Sequence, residues 1–215
     1  MMPYMKHLYL LLLFTVQFLT AQNYHPDKII IDGITYDYRY HHLEVYFNHY
    51  PEKRPVINKD STIISRGYIA EYEIKDQVLY LKDIKIPVDG DYKQLVSNTN
   101  TVFQDNKTMK MYWVNGLYDV GLGDPIITSP ADTLNPVFNN YYIFEIERGT
   151  IIRTNNFTYK QYKRFKDYQW ERFRYSEDYT KLYKKMLRTG IPEEDIENHI
   201  YYHILFYSKR NFLKK

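Results

Sequence analysis

The residues best spaced for chemistry lie near the C-terminus. In DIENHIYYH, Asp195, His199 and His203 recur at i, i+4 and i+8. On a helix that spacing sets all three along one ridge, and two histidines at i, i+4 can share one metal ion. There is no H-E-x-x-H, so the base of a metalloprotease is missing. The same ridge borders an apolar stripe, as a packed helix would. The ridge is therefore read as structural, with Asp195, His199 and His203 kept as the one metal candidate and no cofactor expected.

The other chemical residues are less ordered. His25, His41, His42 and His49 crowd the N-terminal third, where they could supply a ligand or a general base. No serine or threonine sits in a G-x-S-x-G elbow, and a chain without cysteine has no thiol chemistry. Glu71/Glu73 and Glu145/Glu147 stand at i, i+2 in alternating strands, so each pair shares one face. A glycosidase needs two carboxylates across one bond, but these alternate with apolar residues as a solvated sheet face would. Asp89-Gly90-Asp91 is too short for a calcium loop, and Gly121-x-Gly123 runs into Asp124-Pro125 rather than a helix. Asn106-Lys107-Thr108 and Asn156-Phe157-Thr158 match the glycosylation acceptor pattern. No catalytic set emerges. The binding candidates are Trp113 and Trp170, as stacking platforms for a glycan, and a basic patch of Lys181, Lys184, Lys185 and Arg188, as a face for an acidic protein partner.

Composition narrows the class. The chain has 25 tyrosines and only 8 glycines. Tyrosine suits half-buried pleated surfaces, so a sheet-rich fold accounts for the excess; aromatic platforms are the alternative. Residues 158–215 carry 14 Lys+Arg and 8 Asp+Glu, whereas residues 22–157 carry 14 and 18. The two parts could attract each other, or the basic end could meet an acidic partner. No nucleic-acid signature is present.

The N-terminus reads as an address. Lys6 precedes the apolar run LYLLLLFTVQFL, Leu8 to Leu19, and Ala21 offers a cut site. That run is shorter than the roughly 20 residues of a spanning helix. A signal peptide over residues 1–21 is expected, with export to the periplasm, the cell surface or the medium, and no transmembrane segment in the mature chain. The lack of cysteine fits an exported bacterial protein.

Two regions must position any site. Residues 22–157 read as a β-rich core. Asp32-Gly33, Asp76-Gln77, Asn115-Gly116 and Arg148-Gly149 are expected hairpin turns. In AEYEIKDQVLYLKDIKI the turn at Asp76-Gln77 pairs Ile74 with Leu79 and Tyr72 with Leu81 on an apolar face. It pairs Glu73 with Tyr80 and Glu71 with Lys82 on a polar one. LEVYFNHYPEKRP predicts one helical turn and then an extended arm, and a short helix is expected near Leu95–Phe103. Residues 158–215 read as three helices packed on the core. Thr158 and Ser176 are N-caps, Gly190 is a stop, and Pro192 starts a third helix with Ile196, Ile200, Ile204 and Tyr207 on its apolar face. The class is α+β: an antiparallel sheet of hairpins followed by about three helices.

HYPEKRP, SRGYIAEYEIKDQVLYLKDIKI and NYYIFEIERG resemble a pattern that recurs in bacterial proteins of uncharacterised function, in which an RGYIA-x-[YF]-EI strand precedes an LY-x-KDI strand. The resemblance runs over Asp27 to Lys166. It implies a sheet module and brings no activity, cofactor or site residue.

These readings converge on an exported, non-enzymatic binding or interaction protein, for instance a periplasmic immunity or inhibitor protein. The alternatives are a carbohydrate-directed protein and a hydrolase with a carboxylate or metal site. Mass spectrometry of the protein recovered from an outer compartment should find its N-terminus at or near Gln22. An intact Met1 in the membrane fraction would establish an anchor instead.

Overall fold

The computed structural model describes residues 25–55, 66–88, 91–97, 109–126 and 136–208, with side chains throughout except at 91–95. It is α+β, a mixed and mostly antiparallel nine-stranded sheet followed by helices. The strands are β1 (Asp27–Ile31), β2 (Ile34–Tyr38), β3 (Ile69–Lys75), β4 (Val78–Val88), β5 (Asp91–Ser97), β6 (Met109–Lys110), β7 (Gly116–Leu122), β8 (Asn140–Glu147) and β9 (Thr150–Thr158). Their order is β2-β1-β3-β4-β9-β8-β7, with β5 and β6 also paired to β4. The two ends of that order, β2 and β7, come into contact, so the sheet is rolled.

Three of the expected turns form. Asp32-Gly33, Asp76-Gln77 and Arg148-Gly149 all have both central φ angles positive, the twist that joins two antiparallel strands through two residues. The β3–β4 register pairs Tyr72 with Leu81, Glu73 with Tyr80 and Ile74 with Leu79, as expected. It departs at Glu71, which faces Asp83 rather than Lys82, because a bulge intervenes. The bulge has a packing cause. Leu79, Leu81 and Ile84 are all fully buried, and an odd spacing from 81 to 84 can face one way only if one residue is skipped. Lys82 is that residue; its ammonium still lies 3.7 Å from Glu71 and 4.0 Å from Glu73. A second bulge lets Ile146 face Ile151 after Glu145 faces Arg153, and leaves Ile152 exposed.

Other expectations are corrected. Asn115-Gly116 is not a hairpin turn: β6 pairs with β4 while β7 pairs with β8. The chain instead turns at Tyr112-Trp113, closed by Val114 N–H donating to the Met111 carbonyl at 3.0 Å. Asn115 braces the Arg148 turn, its Oδ1 accepting from Arg148 N–H at 2.8 Å. The sheet is not all hairpins either, since β1 and β3 run parallel. The connection after β2 contains helix α1 (His42–His49) and a 3-10 turn (Pro51–Lys53), which return the chain as a parallel crossover must. Two helical turns and a 3-10 turn thus replace the expected single turn and extended arm. Leu95–Ser97 is strand rather than helix, and the rest of that expected helix lies outside the described residues.

The C-terminal helices are α2 (Tyr159–Phe173), α3 (Glu177–Arg188), α4 (Glu193–Tyr202) and α5 (Ile204–Tyr207). Gln161 reaches back to the Thr158 N–H at 2.9 Å, and Ser176 Oγ accepts from Tyr179 N–H at 3.2 Å. Gly190 ends α3 at φ +84. The expected third helix breaks at His203, whose φ of −99 and ψ of 21 divide α4 from α5. The break lets Ile196, Ile200, Ile204 and Leu205 all bury in one cluster.

Two cores result. Tyr38, Leu43, Phe47, Tyr72, Leu81 and Phe144 fill the inside of the roll. Leu117, Tyr141 and Ile143, on the other face of β7 and β8, pack against the helices. Tyr72 is fully buried, with its ring edge-on to Tyr38, so Tyr72→Ser should cost about 2–4 kcal/mol through lost burial and an imperfect fill. Glu71, held by Lys85 at 2.7 Å, should lose only about 1 kcal/mol in Glu71→Gln. Chemical denaturation of both variants checks the register, and equal losses would show it to be wrong.

Candidate functional site

Where the roll closes, Arg39 on the segment after β2 reaches Asp119 in the middle of β7. Arg39 Nη2 donates to both carboxylate oxygens, at 2.7 and 2.9 Å. Tyr40 and Tyr162 also donate to Asp119, Tyr162 at 2.8 Å. Burial alone would push the Asp119 carboxyl up; the Arg39 charge and the hydroxyl bonds outweigh it and hold the group below the usual carboxylate range. Strand alternation explains the placement. Tyr118 and Val120 point into the roll, so Asp119 faces the helices together with Leu117 and Gly121.

This cluster floors a cleft of about 450 Å³. Phe138, Tyr141 and Val137 form one side of it, and Tyr159, Tyr162, Lys166 and Tyr202 come from the helices. Tyr141 and Tyr162 stack face to face, with ring centroids 3.8 Å apart. Gly121 shapes the side: a Cβ there would sit 2.1 Å from the Phe138 ring. Lys166 lies on the buried stripe of α2 with Tyr162, Gln169 and Phe173. Its ammonium donates to the Tyr202 carbonyl at 3.2 Å and lies over the rings of Tyr201, Tyr202 and Tyr162. Burial, followed by the charge of Arg39, pushes Lys166 down to about 8. The Arg39 guanidinium lies 5.0 Å from the centre of the Tyr202 ring.

The residues singled out in the sequence lie elsewhere. Trp113 stacks on Tyr46 and donates to the His42 carbonyl at 2.9 Å. Trp170 is half-buried, edge-on to Tyr179 and Tyr201. Neither lines the cleft. Lys181, Lys184, Lys185 and Arg188 are exposed on α3, with Lys181 3.5 Å from Glu177. The rings of His199 and His203 are 4.9 Å apart, but Asp195 does not complete a site with them. Among the described residues no three histidines, aspartates or glutamates are grouped to hold a metal.

The N-terminal histidines also serve separate contacts. His41 Nδ1 lies 3.2 Å from Asp27, a fully buried carboxylate that also accepts from Arg66 at 2.7 Å and from Ala70 N–H at 3.0 Å. His42 is buried against the Tyr38 hydroxyl at 2.7 Å, and exposed His49 bonds the Val45 carbonyl at 2.8 Å. Glu145 is buried rather than solvated, with Arg153 3.5 Å away across the β8–β9 pair, and burial raises its carboxyl. Asp89 and the side chain of Asp91 lie outside the described residues.

Sequence reading passed over Arg39, Asp119, Tyr162 and Lys166 as a set. Two signals were present: a lone aspartate inside the apolar strand GLYDVGL, and a lysine between Tyr162 and Phe173 at helical spacing. Set against family models, curated proteins and solved structures, the chain matches none. The site is therefore read from its own chemistry.

Two histidines couple this architecture to pH. Burial pushes His42 down to about 3. Burial, with the charges of Arg39, His199 and Lys166, pushes His203 down to about 4. Between those values and the ordinary histidine range the unfolded chain binds more protons than the folded one, so stability falls as pH drops below about 6.5. The loss between pH 7 and pH 5, measured by denaturation, should be smaller by about 1–2 kcal/mol in His203→Gln. An identical loss in the variant would show His203 to be free to protonate in the fold.

Proposed function

We propose that this chain is an exported, non-enzymatic binding protein that works through the Arg39–Lys166 cleft. The observation that carries the reading is the state of its buried carboxylate. Both oxygens of Asp119 are engaged, by Arg39, Tyr40 and Tyr162. The other carboxylate at the cleft, Asp37, is exposed and bridged by Lys28. A hydrolase of the two-carboxylate kind needs one acid and one free base or nucleophile, and the cleft presents neither as a pair. What it offers is a mostly aromatic wall, a few fixed polar groups and a volume in the range of small-molecule sites. The export expectation agrees with a binding role outside the cytoplasm, and no helix among the described residues is long and apolar enough to cross a membrane.

A second reading, docking of an acidic partner protein, rests on α3, where Lys184, Lys185 and Arg188 are exposed beside the 41% exposed Leu187. One experiment separates the two. A fragment library screened by NMR against the full chain should give hits that perturb Phe138, Tyr141 and Tyr162. Gly121→Ala should displace Phe138 and weaken those hits by about tenfold or more, since the added Cβ cannot coexist with the ring. Replacing Lys184, Lys185 and Arg188 by glutamate should leave them unchanged. Hits that ignore Gly121→Ala and vanish with the charge reversal would move the working surface to α3.

A further inference from the structure

We propose that the cleft is built for a monoanionic carboxylate on a small apolar or aromatic body, seated between the Arg39 guanidinium and the Lys166 ammonium. The proposal deepens the binding reading above and rests on it. Charge comes first. Of the buried and half-buried ionic groups at the cleft, Arg39 and Lys166 are cations and Asp119 is the anion, which leaves one positive charge in excess. Lys163, also at the cleft, is 57% exposed and engaged by Asp167 at 3.0 Å. Lys166 is only 7% exposed, and its hydrogen bond among the described residues goes to a neutral carbonyl. A buried cation with no carboxylate in direct contact is costly, and an arriving anion would offset that cost.

Hydrogen-bonding capacity points the same way. Asp119, Tyr40 and Tyr162 all engage the single nitrogen Nη2 of Arg39. Its Nε is buried with no partner among the described residues. The spare buried capacity is therefore donor, and a ligand must bring acceptors. A neutral sugar brings a hydroxyl donor with nearly every acceptor oxygen, and no charge. A phosphate dianion would overfill a single positive charge. A carboxylate matches both the charge and the fork of donors, and its apolar body would lie along Phe138, Val137 and Tyr159.

Proton uptake follows. The groups facing Lys166 are Arg39 after β2, Asp119 on β7, Tyr162, Lys163 and Asp167 on its own helix, and Tyr201, Tyr202 and His203 at the end of α4. Burial holds Lys166 at about 8, and a carboxylate beside it would raise that value, so binding should take up protons near pH 8 and weaken as the pH rises past it.

The test titrates the full chain with phenylacetate, phenylacetamide and inorganic phosphate, followed by NMR of labelled lysine and aromatic side chains. Phenylacetate should shift Phe138, Tyr162 and Lys166 and bind about tenfold to a hundredfold more tightly than either other probe. The preference should shrink at pH 9.5 and be largely lost in Lys166→Met, which replaces the ammonium while retaining most of the aliphatic stem. Equal binding of acid and amide, both weakened by Gly121→Ala, would overturn the carboxylate inference and leave the cleft reading standing. Phosphate binding as tightly as phenylacetate, an undiminished acid preference in Lys166→Met, or no response of the cleft to phenylacetate would each overturn it.

Discussion

A guanidinium and a carboxylate taken out of water together are stable only if each finds its partner and its remaining hydrogen bonds. Asp119 meets that condition at the seam of the rolled sheet, accepting from Arg39, Tyr40 and Tyr162, while the Arg39 Nε keeps a spare donor. Much of the architecture depends on this contact. It fastens the segment after β2 to β7, the two ends of the strand order, and through Tyr162 it ties the helical layer to both. It also fixes the floor of the cleft. Removing either charge would leave the other without its partner, a penalty on the order of 3–5 kcal/mol, so each depends on the other being in place.

The tyrosine excess has its explanation in the same physics. Tyr38, Tyr40, Tyr68, Tyr72, Tyr118, Tyr141 and Tyr162 are buried, and a buried phenol contributes a large apolar area while requiring a partner for its hydroxyl. Those partners are on hand: Tyr38 meets His42, Tyr68 meets Glu44 at 2.6 Å, and Tyr118 meets the Asn115 carbonyl at 2.9 Å. Tyrosine thus fills the roll and cross-links it by hydrogen bonds, in a chain that has no cysteine for disulfides. Other aromatic side chains are exposed, among them Tyr50, Tyr112, Tyr168 and Tyr175, none of which lines the cleft.

Lys166 differs from these tyrosines. Most buried polar side chains in the two cores have partners of opposite character, whereas this ammonium has a carbonyl and three ring faces. Local rules broken in an otherwise consistent structure tend to mark working sites. That is why the cleft, rather than the exposed lysines of α3 or the His199–His203 pair, carries the functional reading.

Much of the fold was legible along the chain because its causes are local. Positive-φ pairs such as Asp32-Gly33 and Arg148-Gly149 set hairpins wherever they occur, and alternation set the register from Tyr72 to Lys75 against Val78 to Leu81. Thr158, Ser176 and Gly190 marked helix ends by capping chemistry that acts within one turn. Even the β4 bulge was written in the odd spacing of Leu81 and Ile84. What sequence could not decide was everything set by pairing across distance. Asn115-Gly116 looked like a hairpin turn, but β6 found β4 as its partner; the parallel β1–β3 pair depended on where the α1 crossover returned the chain. The cleft belongs to this second class. Arg39, Asp119 and Lys166 are separated by tens of residues and share no local spacing, so only closure of the sheet and docking of α2 could bring their charges together.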